Sequence, residues 1–255
     1  MTDNESSIPS RVPDRSAAVA SWEATEFARY QRTHVFECMR EWSAEHVSRG
    51  IVDLGCGSGR FLELFIKEVD WQIDYLALVD LDSSLVDQAM ARFRRYNSVD
   101  GVCTDFRDLD GLDKVLERTD LVIGVCSFHH LHWDDKTRFF SEILARGQRV
   151  LVGELDGDHD VYEQGHPNLV ASCERFYSGL RNAIRFESSF ETINRGLLIP
   201  EERSILENDL KERGEYHLSL RNWIELLRAS GARTILNSRR TLSLGAPDSL
   251  ALLAC

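Results

Sequence analysis

Several absences narrow this chain before any motif is read. None of its six cysteines (38, 56, 103, 126, 173 and 255) stands in a C-x-x-C pair, which removes the usual spacings of zinc ribbons and thioredoxin-like redox sites. No calcium-type loop with its defined ligand spacing is present either. No stretch reaches the roughly 18 apolar residues that a membrane span needs. Residues 1–15, rich in Ser, Asp and Pro, lack the apolar run of a signal peptide and read as a disordered tail of a cytoplasmic protein with reduced thiols. Basic residues are short in supply: 30 Lys and Arg face 42 Asp and Glu, a formal net charge of -12. The summed field repels phosphate backbones and anionic lipid, so neither nucleic acid nor membrane is expected as a partner.

What is present reads as one α/β unit with an elaboration. Residues 16–48 contain no Gly or Pro and space Trp22, Phe27, Tyr30, Val35, Phe36, Met39 and Trp42 at helical intervals, which predicts one or two amphipathic helices. From 49 to 155 short apolar runs alternate with helical stretches, the signature of a parallel sheet with right-handed crossovers. The alternation stops over 156–215, where helices are expected at Asn168 to Arg185 and Pro200 to Arg213, the latter ended by Gly214. It resumes over 216–255 with a helix at Leu220 to Ala229, capped by Gly231, and two strand-like runs that form an antiparallel pair.

The informative segment is Ile51-Val52-Asp53-Leu54-Gly55-Cys56-Gly57-Ser58-Gly59-Arg60, a strand running through glycines into a helix. Glycine permits positive φ and close approach of a ligand, and the helix start offers unpaired N–H groups. A dinucleotide fingerprint from Gly55 needs Gly or Ala at position 60, and one from Gly57 needs it at 62; Arg60 and Leu62 fail both. The phosphate-binding loop with its Gly-Lys pair is absent too. The remaining pattern, D-x-G-x-G-x-G, resembles the first motif of class I S-adenosylmethionine-dependent methyltransferases of the small-molecule type. Asp80, at the end of the next apolar run and about 20 residues past the glycines, matches the family's ribose-binding acid; Asp82, followed by Ser83-Ser84, reads as a helix N-cap.

That resemblance implies a Rossmann-like, seven-stranded, mostly parallel sheet with helices on both faces, and S-adenosylmethionine at the carboxyl ends of its strands. It assigns Asp53, Gly55, Gly57, Gly59, Asp80 and Leu81 to the cofactor, with Asp105 as adenine acceptor and Phe106 as backbone donor; Asp105 and Asp108 read equally as loop or cap carboxylates. Val125 and Cys126 pass behind the cofactor, and His129 and His130 stand at the methyl-transfer side, as a base or as packing at a helix entry. The acidic run Glu154 to Asp160 could form a divalent-metal site with His130 or His132, but it lacks calcium-type spacing and reads as a solvated loop, so no metal is expected. The absence of [DN]-P-P-[YF] and of a Pro-Cys nucleophile removes adenine-N6, glutamine and cytosine-C5 methylation. The expected activity is methyl transfer to a small-molecule acceptor, with another S-adenosylmethionine-using transferase or a non-catalytic binding module as alternatives. Residues 156–215 are expected to act as a lid; its aromatic residues read as a roof of the acceptor pocket or as core of the inserted helices, and Arg175, Arg181 and Arg185 as acceptor-binding groups or as a solvated helix face. Oligomeric state is not legible in the sequence.

Overall fold

The computed structural model describes residues 15–42, 47–68 and 72–255. Residues 1–14 of the expected tail lie outside them, and Arg15 is already the first residue of a helix. The elements run α1 (Arg15–Ala24), α2 (Glu26–Trp42), β1 (Gly50–Leu54), α3 (Arg60–Glu68), β2 (Tyr75–Asp80), α4 (Ser83–Phe93), β3 (Val99–Cys103), α5 (Leu109–Leu116), β4 (Leu121–Val125), α6 (Trp133–Ala145) and β5 (Arg149–Leu155). Then come α7 (Pro167–Ile184), α8 (Phe190–Ile193), α9 (Ile199–Glu207), α10 (Leu220–Ala229), β6 (Ile235–Arg240) and β7 (Ser249–Ala254).

The sheet order is β3-β2-β1-β4-β5-β7-β6. Strands β1 to β5 pair in parallel, and β7 runs antiparallel to both β5 and β6. Interior strands β1, β4 and β7 are almost entirely apolar because a doubly covered sheet leaves neither face to water. Alternate residues feed opposite cores. Val52, Val79 and Val150 pack under α5, α6 and α10, whereas Ile51, Leu78 and Leu151 pack under α2, α3 and α4. The exposed edge strand β6 carries Arg239 and Arg240, charges that discourage pairing with another edge.

A third core joins α1 and α2 to the inserted segment: Ala18 and Phe27 pack with Leu169, Cys173, Tyr177, Ile193 and Ile205. The insertion differs from expectation in one place. Its second helical stretch begins at Phe190, not Pro200, and passes through a π-turn at Asn194–Leu198 before α9. Proline supplies no N–H and crowds the carbonyl four residues back; the wider turn, with Ile199 N–H bonded to Asn194 O, absorbs Pro200 within the run. The helix ends at Glu207, well short of Gly214.

Candidate active site

The carboxyl ends of β1, β2 and β4 open into a cavity of about 1030 Å³. Gly55, Gly57 and Gly59 have φ of 70°, 52° and 78°, so the loop between β1 and α3 turns through left-handed backbone at three alternate positions. Two of these glycines are also fixed by packing. A Cβ on Gly55 would lie 2.5 Å from Ser127 Cβ, and one on Gly59 would lie 3.1 Å from Ala89 Cβ of α4. Over Gly57 sits the Glu23 carboxylate from α1, which accepts from Ser58 N at 3.2 Å and Ser58 Oγ at 2.5 Å.

Asp80 accepts from Gly57 N at 2.9 Å and Asp82 N at 3.0 Å, so this carboxylate ties the glycine loop to the end of β2. Leu81 beside it is 64% exposed and faces the cavity, an uncovered apolar side chain suited to a flat ring. Asp82 caps α4, accepting from Ser84 N at 2.8 Å, and Asp108 caps α5. Asp53 is buried at the strand end; burial, then the charges of Asp80 and Glu23, push its pKa up to about 8. Asp105 and Phe106 line the cavity, but the Asp105 carboxylate is already engaged by Arg107 Nε at 2.9 and 2.8 Å. Val125 and Cys126 form the back wall. Cys126 takes a positive φ of 54° and its Sγ lies against the Gln31 amide of α2.

Past Ser127 the cavity becomes a buried polar cluster. Glu154, expected in a solvated loop, is instead a buried residue of β5. Its Oε1 accepts from Ser127 N at 3.1 Å and His129 N at 3.2 Å, and its Oε2 faces His129 Nδ1 at 2.8 Å. His159, from the same acidic run, is also fully buried, and its pKa falls to about 4 through burial. On the other side of His129, Nε2 lies 3.0 Å from Glu215 Oε2. Burial penalises the imidazolium, yet Glu154 and Glu215 together hold the His129 pKa well above its ordinary value. Carboxylates thus face both ring nitrogens, an arrangement that favours a cation over a free base.

Glu215 belongs to an extended segment pinned beneath these histidines. Tyr216 N bonds His129 O at 2.6 Å, His130 Nδ1 meets Gly214 O at 3.0 Å, and buried Lys136 Nζ donates to Leu131 O and Tyr216 O, both at 2.6 Å. Burial opposes ionisation of Glu215, but His130 and His129 hold its pKa well below the usual carboxylate range. Glu201 on α9 moves the opposite way, raised by burial and by the Glu215 charge. His132 is an N-cap, accepting from Asp134 N at 3.3 Å at the start of α6.

Phe176, Leu180, Leu197 and Leu198 of the insertion face this polar floor. Of the two readings of the inserted arginines, the acceptor-facing one does not hold: Arg175 pairs with Asp158, Arg181 with Glu202 and Asn194, and Arg185 lies over Phe186. Phe186 itself is 88% exposed, and Tyr177 is core. Sequence reasoning did not single out Glu23, Gln31, Glu201, Glu215 or His217. One local signal was available, because Glu215-x-His217 follows Gly214 in a non-helical stretch, where alternation puts both side chains on one face.

Residues 51–147 match the methyltransferase domain family. That match places a methyltransferase domain within residues 51–147. No curated protein matches the sequence. Among solved structures, the chain is similar to the 1,6-didemethyltoxoflavin-N1-methyltransferase of Burkholderia thailandensis with bound 1,6-didemethyltoxoflavin and S-adenosylhomocysteine. That pair shares 16% identity, covering 94% of this chain and 85% of that one, with a TM-score of 0.56. It is also similar to the N-methyltransferase NodS of Bradyrhizobium japonicum WM9 in complex with S-adenosylhomocysteine, at 14% identity, 91% and 88% coverage and a TM-score of 0.51. A SAM-dependent methyltransferase from Leishmania major matches at 13% identity, 94% and 82% coverage and a TM-score of 0.53. At these identities the likeness fixes the methyltransferase fold. No helix among the described residues is long and apolar enough to cross a membrane.

Proposed function

We propose that this methyltransferase transfers the methyl group to a small-molecule acceptor held between the strand ends and the helices of α1 and residues 156–215. The carrying observation is the continuity of one cavity from Asp80 and Gly57, through Cys126, to His129, His130 and Glu201 under an apolar roof. Its volume exceeds what one cofactor-sized ligand fills. Asp53, Gly55, Gly57, Asp80 and Leu81 would hold the amino-acid and ribose side of the cofactor, with Gly59 keeping α3 close to α4. Asp105 and Phe106 would meet the adenine, and Val125 and Cys126 would back the sulfur. S-adenosylmethionine supplies a methyl group on a sulfonium whose thioether leaves uncharged, so the protein's tasks are to exclude water and hold the acceptor in line.

His129 and His130 are the proposed catalytic pair. With Glu154 and Glu215 on its two nitrogens, His129 does not abstract a proton; it fixes the polar floor on which the more exposed His130 faces the acceptor. Residues 156–215 are proposed as the lid of this chamber. Their packing against α1 and α2 supports a single cover built from both ends of the fold. The cytoplasm is part of the same reading, supported by six unpaired cysteines.

Calorimetry with S-adenosylhomocysteine and NAD, followed by incubation with S-adenosylmethionine and a panel of hydroxylated and amino acceptors, tests the proposal by mass spectrometry. Binding of the homocysteine form but not NAD, with an acceptor gaining one methyl group, is expected. A nucleoside product other than S-adenosylhomocysteine would mean another transferase, and tight binding without turnover on any acceptor would mean a non-catalytic module.

A further inference from the structure

The geometry points to a divalent transition-metal site at the acceptor end of the cavity, built from His129, His130 and Glu215. One imidazole nitrogen from each histidine and a carboxylate oxygen of Glu215 lie within 4.8 Å of one another. The contacts are closer than that limit: Glu215 Oε2 is 3.0 Å from His129 Nε2, and Glu215 Oε1 is 3.3 Å from His130 Nδ1. Donor atoms sharing one ion at metal–ligand distances near 2.1 Å stand about 3 to 3.4 Å apart, so the positions already suit a coordination shell once the ion displaces to solvent the protons that His129 Nε2 and His130 Nδ1 direct at Glu215 and Gly214 O.

Three further observations point the same way. Glu215 is 2% exposed, and its carboxylate faces ring nitrogens of three histidines, His129, His130 and His217, so a buried anion sits where several metal-binding side chains converge. His217 stacks on His129 with ring centroids 4.6 Å apart; its Nε2 is 3.7 Å from Glu215 Oε2, and its Nδ1 is buried with no partner. Finally, Glu154 grips the outer nitrogen of His129, as an outer carboxylate does when it fixes the orientation and raises the basicity of a metal-bound imidazole. Both Glu154 oxygens are used by the Ser127 and His129 backbone and by that ring, so Glu154 is a support and not a ligand.

Two imidazoles and one carboxylate are the donor set of open sites for zinc, iron, cobalt or manganese. His129 and His130 line the cavity, so the remaining positions face the acceptor. The ion's role, which rests on the methyl-transfer reading above, is to take up an acceptor hydroxyl or phenol. The hydroxyl proton passes to solvent, and the oxygen forms its bond to the methyl carbon as the carbon–sulfur bond breaks, with that electron pair staying on sulfur. The acceptor class is therefore an oxygen nucleophile able to ligate a cation.

The test uses untagged full-length protein treated with chelator and titrated with Co²⁺, followed by visible absorption, with Zn²⁺ as competitor and elemental analysis for stoichiometry. One ion per chain is expected. His130→Ala, at a ring 39% exposed, and Glu215→Gln should each weaken Co²⁺ binding at least tenfold, and Glu154→Gln about tenfold. S-adenosylhomocysteine affinity, measured on the same samples, should stay within twofold and reports that each variant is folded. Absence of saturable Co²⁺ binding to the unmodified chain, or equal binding by His130→Ala and Glu215→Gln, overturns the site. Loss of S-adenosylhomocysteine binding by the unmodified chain would instead overturn the methyltransferase reading and leave the metal measurement standing by itself.

Discussion

The two halves of the cavity are built by different means. The cofactor half is main chain: three glycines with positive φ, and the Asp80 carboxylate on the Gly57 and Asp82 amides, all within some 30 residues. The acceptor half is side chains brought from afar, with Glu154 and Glu215 meeting His129 across 25 and 86 positions. Backbone-built sites tolerate loss of one side chain, whereas a desolvated side-chain cluster leaves the survivor of each broken pair unpaired and buried.

The sharpest test of that contrast is Lys136→Met. Lys136 is fully buried and donates to Leu131 O and Tyr216 O, joining the histidine turn to the Glu215 segment. Removing the ammonium strands two buried carbonyls, each worth roughly 1 to 3 kcal/mol, so urea denaturation should show a loss of about 4 kcal/mol. A loss below about 1 kcal/mol would break the claim that the acceptor half depends on side chains.

The foundation common to both halves responds to pH through His34. It lies under β6 and β7, with Nδ1 2.8 Å from Ser249 Oγ and Nε2 3.0 Å from Ser238 Oγ. Burial, then Arg240, lowers its pKa to about 4, while Glu37 pulls the other way. In the unfolded chain the ring titrates near 6.5, so as pH falls the unfolded state takes the proton first. Stability is unaffected by this group above that value and is lost progressively from about 6.5 down to about 4, by up to about 3 kcal/mol. His34→Gln should flatten that part of the urea-midpoint profile; an unchanged slope would assign it to other groups.

On the cofactor side, Asp80→Ala should weaken S-adenosylhomocysteine binding by roughly 1.5 to 3 kcal/mol, the range for hydrogen bonds to a charged group, with little change in folding. Calorimetry beside thermal melting separates the two. An equal affinity would remove Asp80 from the site.

The same division explains what could be read from the sequence. Glycine spacing and strand-end acids are local, because backbone geometry fixes how far Asp80 stands from Gly57, and the sheet order follows from alternating runs. Glu154 reads as solvated because Asp156-Gly157-Asp158 follows just beyond Leu155; its compensation comes from the β4 turn, which no local pattern announces. Glu23 occupies an ordinary amphipathic-helix position, and its partner Ser58 is 35 residues away. Pro200 was taken for a helix start because a proline at the first turn costs nothing, whereas a π-turn has no sequence signature.

The smallest expected effect tests whether α1 couples the halves. Asp82 caps α4 through Oδ1 on Ser84 N, and its Oδ2 accepts from Ser16 Oγ, so one carboxylate both starts a helix of the cofactor half and latches α1. These roles separate chemically. Asp82→Ala removes cap and latch, and should cost about 1 kcal/mol of stability. Asp82→Asn keeps a good cap and removes the charge, and Ser16→Ala removes the latch and keeps the cap, so both should melt within about 0.5 kcal/mol of the unmodified chain. Because α1 also carries Glu23 over Gly57 and packs with the inserted helices, an unlatched α1 should expose both halves together. Hydrogen exchange in Ser16→Ala should then rise over residues 15–24 and over α8 and α9, while β1 to β5 keep their protection. Faster exchange confined to 15–24 would mean that the insertion stands without α1, and that the cover is two independent pieces.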